Sequence, residues 1–211
     1  MTFKNFSHKK ARRPERFLPA RCFTLIELLV VVALMGVIFA VGLPAFERLT
    51  IGSGVDAAVR QVNAQLRLAR QYAISHRCKV ALVFPEDQSG MNDNNKFACF
   101  RPALVTSSTT TWVPNTHWTF LPTGVVAFTN SSSLSSVSMK LDTVSTSTAS
   151  AVTVKAIVFK STGALDTTSS QSLLLGEGFY AGSAGLKERG TGNKNKLTIV
   201  VNPFTGRTVI Q

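Results

Sequence analysis

A single charged side chain, Glu27, stands in the apolar run from Phe23 to Phe46. Inside a bilayer a carboxylate costs at least a few kcal/mol, so Glu27 is a functional candidate that calls for a positive partner. Other residue types able to do chemistry are scattered. His8 precedes the apolar run, while His76 and His117 stand alone. There is no Gly-x-Ser-x-Gly elbow, no Gly-x-x-x-x-Gly-Lys-Ser/Thr phosphate loop and no His-x-x-His pair. Asp87-Gln88-Ser89-Gly90-Met91-Asn92-Asp93 offers oxygen ligands, but not at EF-hand spacing, and reads better as a hairpin loop. The three cysteines, Cys22, Cys78 and Cys99, are too few for a disulfide framework and form no Cys-x-x-Cys pair. The reading is therefore not an enzyme, with no metal and no other cofactor.

Basic residues raise the question of nucleic acid. Lys187, Arg189, Lys194 and Lys196 lie in one Gly-rich stretch opposed only by Glu188, and Arg207 follows near the end. Such a group could make weak DNA contacts through phosphates. A solvated loop before a terminal strand is the plainer reading and is favoured. The chain's net charge of +12 does not decide the matter, because it is unevenly placed. Residues 1–22 hold seven basic side chains against Glu15, and the other 189 residues hold 16 basic and 10 acidic ones. With hydrophobic residues at 45% and charged residues at 16%, wholesale disorder is excluded.

The elements that position these residues follow from periodicity. Residues 1–22 are basic, broken by Pro14 and Pro19, and read as a flexible arm. As a helix, residues 23–46 are ~36 Å long against a hydrocarbon core of ~30 Å, enough for one span. The basic arm before the span places the N-terminus in the cytoplasm and the rest of the chain outside it. Gly42 and Pro44 predict a kink or a melted turn, and Gly52 and Gly54 a second weak point. Helical spacing then resumes through Val55, Ala58 or Val59, Val62, Leu66, Ala69 and Ala73, with Arg60, Arg67 and Arg70 off the stripe. A stripe of that length needs a cover.

After Arg77 the pattern becomes short β runs: Lys79–Phe84, Phe97–Arg101, Trp118–Leu121, Val125–Phe128, Val137–Leu141, Val152–Phe159, Ser172–Leu175, Lys196–Val201 and Arg207–Ile210. Between Thr106 and Thr153, 23 of 48 residues are Ser or Thr, so exposed strands and loops are expected there. If Phe84 opposes Phe97 in the first hairpin, Cys78 and Cys99 lie ~13 Å apart along the strands, too far for a disulfide, which needs Cα atoms within ~7 Å. A different register leaves the pairing open.

The run Arg21-Cys22-Phe23-Thr24-Leu25-Ile26-Glu27-Leu28-Leu29-Val30-Val31-Val32-Ala33 closely resembles the N-terminal signature of type IV pilins and of the pseudopilins of type II secretion. The resemblance implies cleavage between Cys22 and Phe23 by a prepilin peptidase, N-methylation of Phe23, and an assembly role for Glu27. Where the family has glycine before the cut, this chain has Cys22, which is still small. The rival readings fit less well. A secretory signal has a shorter apolar core without a carboxylate, and a lipoprotein cysteine follows its apolar core instead of preceding it.

Two further segments resemble the H-type pseudopilins and related minor pilins. One is Gln65-Leu66-Arg67-Leu68-Ala69-Arg70-Gln71-Tyr72-Ala73-Ile74 running into Lys79–Phe84. The other is the close Asn202-Pro203-Phe204-Thr205-Gly206-Arg207. Residues 102–190 carry no such resemblance. Some members of the group bind DNA through a Gly-Arg-x-Arg segment, of which Gly206-Arg207-Thr208-Val209 keeps one arginine.

The expectation is thus an α+β, pilin-like chain whose long N-terminal helix packs on an antiparallel β-sheet domain. Its divisions are a leader at 1–22, a membrane helix at 23–46, an amphipathic helix at 47–77 and a periplasmic β-rich domain at 78–211. The implied function is a minor pseudopilin of a type II secretion pseudopilus in the bacterial inner membrane. The alternative is a minor pilin of a type IV pilus, with a part in DNA uptake. Implied partners are other pseudopilin or pilin subunits, the prepilin peptidase, the inner-membrane assembly platform and membrane lipid. Nucleic acid is the disfavoured partner.

Overall fold

The structure, a computed structural model, describes residues 24–50, 53–87, 96–106, 110–141, 151–189 and 195–211, with the side chains of 41–50 left aside. The chain divides into two units, Met1–Phe46 and Glu47–Gln211. Helix α1 spans Leu25–Thr50, and its backbone stays helical through Gly42 and Pro44, so the melted turn expected there is absent. One proline removes one hydrogen bond of the ladder, and here the bonds on either side keep the helix closed. The apolar side chains of α1 from Leu25 to Phe39 are exposed on every face. Among the described residues no helix is long and apolar enough to cross a membrane; part of the 23–46 run lies outside the side chains described.

Helix α2, Ser53–Ser75, buries Val55, Ala58, Val59, Val62, Leu66, Ala69 and Ala73, the stripe that the spacing predicts. Val55, Val59, Val62 and Leu66 together contribute roughly 6–12 kcal/mol of burial at ~1.5–3 each, before the entropy of ordering is subtracted. The helix ends in a Schellman motif. Arg77 takes a positive φ of 51°, the Cys78 N–H bonds the Ala73 carbonyl at 3.2 Å, and the Arg77 N–H reaches the Ile74 carbonyl at 3.4 Å. This turn feeds the chain directly into the first strand.

Eleven strands follow among the described residues: β1 Lys79–Phe84, β2 Cys99–Val105, β3 Thr110–Trp112, β4 Thr119–Phe120, β5 Val125–Ala127, β6 Ser135–Met139, β7 Val152–Phe159, β8 Gln171–Tyr180, β9 Leu186–Glu188, β10 Lys196–Val201 and β11 Thr208–Ile210. They form two antiparallel sheets. One runs β3-β2-β1-β7-β6 with β4 on β2, and the other β11-β10-β8-β5 with β9 on β8. Side chains of both sheets, among them Val80, Leu82, Phe159, Leu175 and Ile199, share a core with the α2 stripe. The far face of the first sheet holds its own cluster around Val83, Ala103, Val154 and Ala156.

Several expectations change. Where it is described, the Ser/Thr-rich region is less exposed than anticipated: β6 alternates, with Val137 and Met139 buried and Ser136 and Ser138 exposed, as a strand period of two dictates. The first hairpin pairs Lys79 with Val105 and Val83 with Arg101, three residues out of the assumed register. Continuing that register separates Cys78 from Cys99 by about seven strand residues, or ~23 Å. The two do not form a disulfide.

Candidate functional site: an arginine-lined cleft and the N-terminal signature

The first turn of α1 is a capping box. The Glu27 N–H bonds Thr24 Oγ1 at 3.3 Å, and Glu27 Oε2 accepts the Thr24 N–H at 3.3 Å and its hydroxyl at 3.4 Å. Glu27 also sits where the positive end of the helix dipole favours a carboxylate. Its second oxygen, Oε1, accepts no hydrogen bond among the described residues. Cys22 and Phe23 lie outside the described residues. Sequence reasoning singled out Glu27 but missed Thr24, although Thr-x-x-Glu before an apolar run is the signal for this cap.

In the other unit, the two motifs noted separately along the chain meet. The β10–β11 connection is built on Asn202, whose Oδ1 accepts the N–H groups of Phe204 and Thr205 at 3.0 Å each. The Gly206 N–H bonds the Asn202 carbonyl and the Asn202 N–H bonds the Arg207 carbonyl, both at 2.9 Å. Gly206 has a φ of 64°, and a Cβ there would overlap the Gly163 carbonyl oxygen and come within 3.0 Å of Arg70 Nε. That same carbonyl accepts the Arg70 Nε–H at 3.1 Å. Helix α2, the turn at Gly163 and the chain's last turn therefore touch at one point, and the Pro203 carbonyl adds a bond from the Leu165 N–H at 2.9 Å. Thr208 Oγ1 ties β11 to Asn63 of α2.

An open cleft of about 540 Å³ lies over this junction, lined by Arg67, Arg70, Gln71 and Ile74 of α2 and by Gly206 and Arg207. Among the described residues no carboxylate pairs with Arg67, Arg70 or Arg207; the ion pairs use Lys79, Lys96, Lys160 and Lys196. The sequence placed Arg67 and Arg70 off the apolar stripe, but nothing in it tied them to Arg207. The missing link was Gly163, ninety-three residues from Arg70 along the chain.

The other basic candidates are not part of this cleft. Lys187 is in β9 opposite Phe179, and Arg189, just beyond β9, reaches toward Gly124. Lys196 opens β10, where its ammonium pairs with Glu188 and lies 5.5 Å from the Phe128 ring. Lys194 lies outside the described residues. Lys196 and Arg207 flank opposite ends of β10, ~20 Å apart along the strand. Asp87, the described residue of the segment read as a hairpin loop, is likewise engaged elsewhere. Asp87 holds the Lys96 ammonium at 2.7 Å and accepts the Tyr180 hydroxyl at 2.6 Å, and these two contacts keep its carboxyl below the usual value. Residues 88–93 of that loop lie outside the described residues.

The chain is similar to the type IV major pilin protein PilE of Neisseria gonorrhoeae, at 33% identity over 67 residues, 32% of this chain and 37% of that one. It is also similar to a fimbrial protein of Neisseria meningitidis serogroup B, at 37% identity over 54 residues, 26% of this chain and 32% of that one. The chain thus spans about a third of the length of these curated relatives. Among solved structures, the type IV minor pilin FimU of Pseudomonas aeruginosa aligns at a TM-score of 0.44 and 13% identity, over 74% of this chain and 86% of that one. Residues 58–206, from within α2 to the glycine that closes the cleft, match the family described as Type II transport protein GspH, and the chain belongs to that family of pilin-like subunits.

Proposed function

We propose that the protein is a minor pseudopilin, a structural subunit of a type II secretion pseudopilus that serves protein export. The observation that carries this reading is the match of residues 58–206 to a family described by type II transport. In this account a prepilin peptidase cuts between Cys22 and Phe23 and methylates the new amine, and α1 anchors the subunit in the inner membrane with its N-terminus on the cytoplasmic side. Glu27 then has two tasks. Oε2 caps its own helix through Thr24, and Oε1 is available to the Phe23 amine of a neighbouring subunit. That ion pair offsets the desolvation of both charges, so the carboxylate favours a stacked subunit over one dispersed in lipid. The work is mechanical, with the assembly platform extracting subunits into a filament and no reaction chemistry in the chain.

A type IV minor pilin is the second reading, favoured by the similarity to PilE. Deletion and complementation in the source strain separate the two. The pseudopilin reading expects loss of exported proteins from the medium with surface piliation and DNA uptake intact. Normal export with lost piliation or uptake overturns it in favour of the pilus.

A further inference from the structure

We propose that the cleft walled by Arg67, Arg70 and Arg207 is a docking site for a carboxylate-bearing segment of a different protein subunit. The inference rests on the reading of the chain as a filament subunit, which supplies the neighbour. Three arginines line one concave surface without a carboxylate among the described residues. One of the three is anchored. Arg70 Nε is spent on the Gly163 carbonyl, which orients the rest of its guanidinium, and Gly206, having no Cβ, lets the closing turn approach that carbonyl closely. A planar fork held in this way suits a carboxylate, which it can grip with two parallel hydrogen bonds.

The surroundings select the occupant. Ile74, which lines the cleft, is 42% exposed and favours an apolar side chain beside the acid, and Phe204, two residues before Gly206 on the closing turn, is 79% exposed. A second copy of this chain is a poor partner, because residues 23–211 hold 16 basic and 10 acidic side chains and several of the acids are already paired. A nucleic-acid backbone is also a poor fit, because it needs a continuous basic track. Lys187 and Lys196 lie toward the opposite end of β10, and Lys196 is neutralised by Glu188. An amphipathic acidic peptide from another protein satisfies both the arginines and the rim.

The test uses the full chain in non-ionic detergent micelles. The probe is a labelled, capped peptide alternating leucine and glutamate, compared with its leucine–glutamine counterpart and with a short DNA duplex. Saturable binding of the acidic peptide is expected, weaker by about tenfold or more for the glutamine peptide and for the Arg67→Gln/Arg207→Gln double variant. Gln71→Glu, which supplies a carboxylate from within the cleft on an exposed helix position, should weaken binding similarly. Circular dichroism shows whether each variant is folded, and Gln71→Glu keeps the test decisive if the double variant is not. Equal binding of both peptides, indifference to the substitutions, or no saturation overturns the proposal. Tighter binding of the duplex than of the acidic peptide, lost in the same variants, overturns it in favour of a phosphate site. None of these failures bears on the export phenotype, which tests the subunit reading separately.

Discussion

Replacing Gly206 with alanine adds one methyl group at the point where α2, the Gly163 turn and the β10–β11 connection converge. Two costs are separable. The φ of 64° lies in the left-handed region, which disfavours an L side chain by ~1–2 kcal/mol. The new Cβ would also overlap the Gly163 carbonyl oxygen and approach Arg70 Nε to 3.0 Å, and overpacking of this kind costs ~1–3 kcal/mol. Together they remove roughly 2–5 kcal/mol from a typical domain stability of ~5–15 kcal/mol. Gly182 is the control, since its φ is 57° but nothing lies within 4 Å of the site of a Cβ. Gly182→Ala should therefore carry only the backbone cost. Urea unfolding of the full chain in detergent, followed by the fluorescence of Trp112 and Trp118, measures both variants. A Gly206→Ala destabilisation within a few tenths of a kcal/mol of that of Gly182→Ala refutes the packing argument.

Three further predictions address other features. Glu27→Val and Glu27→Gln should both insert in the membrane yet be depleted from sheared filaments, because both lose the charge while glutamine retains the cap. Depletion of the valine variant alone would mean that the reciprocal hydrogen bond to Thr24, worth roughly 0.5–1.5 kcal/mol, is what matters. Burial pushes the Cys99 thiol up to about 12, so about one molecule in ten thousand is thiolate at pH 8, and iodoacetamide should reach Cys99 only after unfolding while half-buried Cys78 reacts in the folded chain; comparable rates by peptide mass spectrometry contradict this. The hydrogen bond to Asp87 raises Tyr180 above its usual 10, so its contribution is present below that pH and is lost as pH rises through the raised value. Asp87→Asn should lower the Tyr180 midpoint in a 295 nm titration, with Tyr180→Phe assigning the signal, and an unmoved midpoint sinks the argument.

Strong periodicity made much of the fold legible. The α2 stripe and the strands Lys79–Phe84, Val152–Phe159 and Lys196–Val201 match the structure residue for residue. Pro102 hid the rest of β2, since a proline within a run reads as its end. Gly176 and Gly178 likewise truncated β8, yet Gly178 is where Val126 and the Lys187 carbonyl approach too closely for any side chain. The three-residue strands Thr110–Trp112 and Leu186–Glu188 are too short to alternate visibly. The cleft was legible only as fragments. Its arginines and its closing glycine were in plain view, but their meeting depends on a turn at Gly163 that no local pattern announces. Residues 102–190 resembled nothing by motif, and the family match nonetheless runs through them.

The central claim is that a processed form of this chain is built into a filament through its N-terminal signature. Its most direct test is the intact mass of the chain recovered from filaments sheared or extracted from a strain with an active prepilin peptidase and assembly platform. The account predicts a chain that begins at Phe23 and carries one added methyl group on its amine. A chain that retains residues 1–22, starts elsewhere or is absent from the filament fraction would contradict it.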